Sequence, residues 1–257
     1  MPAYFHRLSA DTFAPTELVG GGWNPDGQHI APVLGLLTHL VEQDHAVRGG
    51  RLVLARASFD ILGTLPLEPV TTTVRVTRPG RTIELVEAVL SHDDRPGLVL
   101  RAWILQAQDT ADAAGTALPR VAGPDETESW NPATLWPGGF VGSVEVRRRQ
   151  VEPGRALVWV RTDVDLIDAE PVSATAQTLG LIDIANGMTP RRDPREMGFA
   201  NVDLTVHLFE RPTGGWVGLD TTVSFGHSGV GLTHSTLHTV HGPIGTVAQS
   251  LTLRRQA

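Results

Sequence analysis

The chain has 257 residues, 41% of them hydrophobic and 19% charged, which is the composition of a globular protein long enough to bury a sizeable core. Its 28 acidic residues outnumber its 21 basic ones, giving a net charge of −7, so a polyanion is excluded as the main partner and no nucleic acid is expected. It has no cysteine, which excludes disulfides, thiolate metal sites and a cysteine nucleophile and fits a reducing compartment.

The N-terminal MPAYFHRLSADTF has no basic region followed by an apolar one, so no signal peptide is expected. No apolar run approaches the ~18 residues of a membrane span. A cytoplasmic protein is the expectation. Tyr4 to Val19 reads as extended and ends in Gly20-Gly21-Gly22. A turn-rich stretch from Trp23 to His29 then leads into a helix, where Ile30, Val33, Leu34, Leu37, Leu40 and Val41 recur at helical spacing. Pro32 is tolerated in its first turn, where an N–H would have no intrahelical partner. From Arg51 to Gln108 four runs read as strands: LVLARASFDIL, VTTTVRVTR, RTIELVEAVLS and LVLRAWILQAQ. Pro79-Gly80 and the cluster from Asp93 to Gly97 punctuate them.

Asp109 to Gly139 is rich in Ala, Gly, Pro, Thr and acids and reads as a linker, pinned to the body by Trp130, Leu135 and Trp136. Two strands follow, VGSVEVRRRQ and GRALVWVRTDVDL, with Arg147, Arg148 and Arg149 as a solvated strand end. Glu170 to Ala185 predicts a second helix, apolar nearly all round, stopped by Asn186-Gly187. In the last quarter Val202, Leu204 and Val206 alternate with Asp203, Thr205 and His207, the period of a half-buried strand. Trp216 to Phe225, Gly231 to Val240 and Thr246 to Leu253 continue the series across short turns and predict an antiparallel meander.

The two halves share one element order: extended segment, apolar helix, four strands. They also share a register, because Leu34-Gly35-Leu36-Leu37 matches Leu179-Gly180-Leu181-Ile182 at an offset of 145 (179 − 34), and Gly97 and Gly242 stand at the same offset. A duplication is the better reading of two landmarks at one offset. It divides the chain into a first half (1–115), a linker (116–140) and a second half (141–257). A single apolar helix beside an antiparallel sheet packs best with the sheet curled around it, which is the α+β hot-dog arrangement, here as two tandem folds around one long helix each, forming a pseudo-dimer.

With NVDLTVHLFERP, GGWVGLDTTVS and GTVAQSLTLR, the chain resembles the double-hot-dog acyl-CoA thioesterases of the type-II group along essentially its whole length. In that family an aspartate, a serine or threonine and a glutamine of the second hot-dog hold the hydrolytic water. The resemblance carries these roles to Asp203, Ser224 and Gln249, with Thr222 on the same strand face as the other hydroxyl. The family's glycine pair, after His or Phe at the start of the first long helix, is replaced here by Ile30-Ala31 after His29, and all three residues are expected to border the substrate. The resemblance implies a small-molecule acyl-CoA as substrate, no cofactor, and edge strands that invite a homodimer or larger homo-oligomer.

Thioester hydrolysis needs a positioned water, a proton acceptor and donors for the developing oxyanion. Asp203 is the expected acceptor, and Ser224 and Gln249 orient the water. Asp203 as a solvent-facing strand residue paired with Arg211 is the bland alternative, and a non-catalytic acyl-thioester binding protein is the competing function. No metal is expected: His234, His238 and His241 share a face on a helix but not on a strand, and no carboxylate lies among them. Gly226-His227-Ser228-Gly229 lacks the second glycine spacing of a nucleophile elbow.

Overall fold

The computed structural model describes residues 2–256. In chain order the first part contains β1 (Ala3–Arg7), β2 (Thr12–Pro15), α1 (Ile30–Val47), β3 (Leu52–Ile61), β4 (Val70–Arg78), β5 (Ile83–His92) and β6 (Arg95–Gln106). Then come β7 (Ser129–Trp130), the single turn α2 (Gly139–Gly142), β8 (Glu145–Glu152), β9 (Arg155–Arg161) and β10 (Asp165–Ile167). The chain closes with α3 (Ala174–Leu179), α4 (Ala185–Met188), β11 (Met197–Gly198), β12 (Asp203–Leu208), β13 (Val217–Phe225), β14 (Val230–Thr239), β15 (Gly242–Thr252) and β16 (Arg254–Arg255).

Apart from the small β11–β16 pair, the strands form one sheet of 14 in the order β10-β1-β2-β4-β5-β6-β3-β12-β15-β14-β13-β9-β8-β7. Outward from the β3–β12 seam the two sides therefore read alike, β3-β6-β5-β4-β2-β1 and β12-β15-β14-β13-β9-β8. At the seam Phe59 faces Leu204, 145 residues further on (204 − 59), so a twofold relation between the halves passes through this pair. The same offset relates Gly35 and Gly180. A Cβ on Gly35 would stand 2.9 Å from the Gly180 Cα and 2.9 Å from the Ala176 carbonyl oxygen, which is why α1 and α3 cross at glycine.

The expected first helix is α1, with Pro32 in its first turn and the His29 Nδ1 accepting from the Ala31 N–H at 3.1 Å. It is buried from Ala31 to Val41 and touches β3, β4, β5, β6 and β10. At about 1.5–3 kcal/mol for each fully buried aliphatic side chain, Val33, Leu34, Leu36, Leu37 and Val41 make it a main support of the core.

Two expectations are corrected. The second long helix is broken: α3 ends with Gly180 as its cap, a 3-10 turn follows over Ile182–Ile184, and α4 starts anew. β-branched Thr175, Thr178, Ile182 and Ile184, with Gly180 between them, leave this segment weak helix propensity, and packing against α1 sets its path. The last four strands are not a meander. β13, β14 and β15 are, but β12 lies between β15 and β3, because the connection over 209–216 is too long to impose a hairpin and the seam offers β12 a second partner. Residues 107–138 hold only short turns and β7; they are tied down by Trp159 Nε1, which donates to the Ala122 carbonyl at 2.9 Å, and Trp136 Nε1, which donates to the Gly187 carbonyl at 2.8 Å. Among the described residues no helix is long and apolar enough to cross a membrane.

Candidate active site

The three residues expected to hold water do not converge. Asp203 opens β12, and its Oδ1 accepts from the Ser250 N–H at 2.5 Å. Ser250 lies across from Leu232, and Leu232 from Ser224, so Asp203 and Ser224 belong to one cross-strand row. They stand three strands apart in it, about 14 Å at the usual spacing. Gln249 belongs to the next row, opposite Thr233 and then Val223, and its side chain leaves by the other face. Gln249 is 1% exposed, while Ser224 is exposed. Thr222 shares the outer face of Ser224, where its Oγ1 donates to the His234 carbonyl at 3.4 Å. Asp203, Ser224 and Thr222 thus lie away from Gln249, which alone of the four is on the inner face.

The inner face assembles a different set. Gln249 Nε2–H donates to Asp183 Oδ1 at 2.9 Å, and Asn201 Nδ2–H donates to the same oxygen at 2.7 Å. Asn201 is anchored by a second Nδ2 bond to the Asp203 carbonyl at 3.2 Å. Asp183 sits in the 3-10 turn where the second helix breaks, so its side chain leaves the helix path toward the seam between β12 and β15. It is 6% exposed, and burial pushes its carboxyl up to about 7, against the two amides, which pull it down. Both amides hold Oδ1, leaving Oδ2 without a hydrogen-bond partner among the described residues. The signal for Asp183 was present in LGLIDIANG: one carboxylate inside an otherwise apolar run is a buried charge that needs partners.

Asp183 and Asn201 line a cavity of about 490 Å³ whose other walls are largely apolar, among them Trp23, Ile61, Leu62, Trp136, Ile184 and Met188. Trp23 meets Trp136 edge-on at 4.6 Å on one side of the cavity. The start of α1 contributes Gln28, His29 and Ile30 to the lining. The His29 ring rests on Phe140 at 4.4 Å, and the exposure it keeps is to the cavity, so burial pushes its pKa down to about 3 and the ring stays neutral. Ala31, by contrast, is fully buried and does not line the cavity, and its N–H is spent on His29. Among the expected substrate neighbours, His29 and Ile30 therefore border the cavity and Ala31 and Thr222 do not.

Solved structures share this chain path. A putative thioesterase from Novosphingobium aromaticivorans is 19% identical with a TM-score of 0.73, covering 98% of each chain. A hot-dog protein of unknown function from Alicyclobacillus acidocaldarius is 14% identical with a TM-score of 0.75, covering 98% of this chain and 96% of that one. An acyl-CoA thioesterase II from Mycobacterium marinum is 15% identical with a TM-score of 0.65, covering 98% and 95%. These likenesses define the class, an α+β protein of hot-dog fold. The acyl-CoA thioesterase N-terminal domain matches residues 19–107 and the acyl-CoA thioesterase C-terminal domain matches residues 107–253. The chain belongs to the acyl-CoA thioesterase family. No curated protein matches it.

Proposed function

We propose that this chain hydrolyses an acyl-CoA to a free acid and CoA, by direct attack of a water activated by Asp183. It works as two tandem hot-dog folds, residues 1–115 and 141–257, joined through 116–140 into a pseudo-dimer with the cavity at their seam. The observation that carries the reading is the Asp183 carboxyl, fixed through Oδ1 by Asn201 and Gln249 with Oδ2 open on an apolar cavity. Oδ2 takes a proton from water as the water oxygen bonds to the thioester carbonyl carbon. The tetrahedral intermediate then expels the thiolate, and the proton on Asp183 passes to the sulfur, leaving acid and thiol. A thiolate leaves readily, so no stronger acid and no cofactor are needed. A carboxyl that ionises near 7 suits both halves of this exchange. The reading places the enzyme in the cytoplasm, as a homo-oligomer.

The test is thiol release from a panel of acyl-CoAs by the wild type and by Asp183→Asn. Asn keeps an oxygen for both amides but cannot accept the proton, so kcat should fall by about 10²–10⁴ with KM little changed. A well-folded Asp183→Asn variant with full turnover would remove Asp183 from the chemistry. Acyl-CoA binding without release by the wild type would favour the non-catalytic binding protein.

A further inference from the structure

The start of α1 has spent nearly all its donors. The Gln28 N–H goes to the Leu65 carbonyl at 2.7 Å, the His29 N–H to the Val19 carbonyl at 2.7 Å, the Ala31 N–H to His29 Nδ1 at 3.1 Å, and Pro32 has none. Only the Ile30 N–H is left in the first turn. The ring of His29 adds a second. Because Nδ1 accepts a hydrogen bond it carries no hydrogen, so the neutral ring must carry its single hydrogen on Nε2. Nε2 has no partner among the described residues, and His29 lines the same cavity as Asp183. Gln28, only 7% exposed and on the same wall, gives its Nε2–H to the Pro66 carbonyl at 2.7 Å and leaves Oε1 unpaired. The wall thus holds an unspent acceptor beside two unspent donors, and native proteins rarely leave such groups idle.

Resting on the thioesterase reading, we infer that the His29 side chain is a catalytic residue of this chain: its Nε2–H, together with the Ile30 N–H, receives the substrate carbonyl oxygen and the negative charge that oxygen develops. The tautomer is set by the helix itself, since the Ala31 N–H of α1 occupies the other ring nitrogen. The ring neither gains nor loses a proton during the reaction, and Phe140 at 4.4 Å keeps it in place. Burial holds it neutral across the working pH range. A charged imidazolium would instead lose the Ala31 cap, because Nδ1 would then need an acceptor.

His29→Asn tests this without removing the cap, because Asn is a strong N-cap whose oxygen can take the Ala31 N–H. Its shorter amide cannot reach the position of Nε2. Expected are an unchanged melting temperature, KM within about threefold, and kcat lower by about 10²–10³, the loss typical of one oxyanion donor. Nitrogen NMR of the wild type supplies a readout independent of turnover. The His29 ring should show hydrogen on Nε2 only between pH 5 and 8. Its Nε2 signal should shift on addition of an acyl-CoA ketone analogue, in which CH2 replaces the thioester sulfur and the carbonyl remains. A kcat within threefold of wild type, hydrogen on Nδ1, or an Nε2 signal indifferent to the analogue overturns the assignment. If the wild type releases no thiol from any acyl-CoA, the thioesterase reading fails, and the NMR result still decides whether His29 binds a carbonyl.

Discussion

Asp183→Asn should make the protein more stable, and by an amount that depends on pH. The carboxyl rises from an ordinary value of 3.8 to about 7 on folding. A folded-state pKa above the unfolded one means that the native state holds the proton more tightly. Stability therefore falls as pH climbs from about 3.8 to about 7 and is level beyond it. At about 1.4 kcal/mol for each pH unit, ionising this carboxyl in the native protein costs up to about 4 kcal/mol above neutrality. Asn keeps an oxygen for the Asn201 and Gln249 amides and has nothing to ionise. Urea denaturation of both proteins at pH 4, 6 and 8.5 measures the difference. It should be small at pH 4, about two-thirds of its full size at pH 6, and greatest at pH 8.5, in favour of Asn. A difference that does not change with pH, or a variant weaker at pH 8.5 than at pH 4, would show that Asp183 is not a buried charge and would refute the argument.

Gln249→Leu removes one of the amides that lower the Asp183 pKa, so the rise of kcat/KM with pH, centred near 7 in the wild type, should move upward, with activity partly regained at higher pH; a pH–rate profile that keeps its midpoint contradicts this. Gly35→Ala should destabilise the protein by about 1–3 kcal/mol, since the methyl meets the backbone of Gly180 and Ala176, which cannot rotate away; thermal melting measures it, and an unchanged midpoint would mean that α1 and α3 part easily.

Helix and strand positions were legible wherever one face was buried. The stripe from Ile30 to Val41 became α1, and RTIELVEAVLS, helical by propensity, became β5 because its neighbours are strands. Strand order was not legible, because β12 owes its place to a partner in the other half, and local turn chemistry carries no record of that. The cluster around Asp183 was legible only in part. Asp203 and Asn201 lie two residues apart and would share a face on a regular strand; a one-residue slip of register between the Asn201–Leu251 bridge and the Thr205–Ala248 pair separates them, so that Asn201 meets Asp183 and Asp203 meets the Ser250 N–H. Asp183 was hidden by the assumption of a continuous helix, in which it would be one polar residue on a buried rod. Gln249 survived because its neighbours Val247 and Leu251 fix which face of β15 is inside.

The twofold relation at Phe59 and Leu204 has a consequence for how labour is divided within the chain. At the same offset Asp183 corresponds to Thr38, Asn201 to Arg56 and Gln249 to Ile104. Thr38 turns its hydroxyl back onto the Leu34 carbonyl at 2.8 Å, and Ile104 is simply core. Two identical halves would have to carry the cost of a buried acid twice, each on a helix broken to present it. In this chain one half alone carries that acid, and α1, at the matching place in the other, is unbroken. Drift in the two halves should leave different marks: substitutions along α1 are registered as heat tolerance, whereas those from Ile182 to Met188 are registered as turnover.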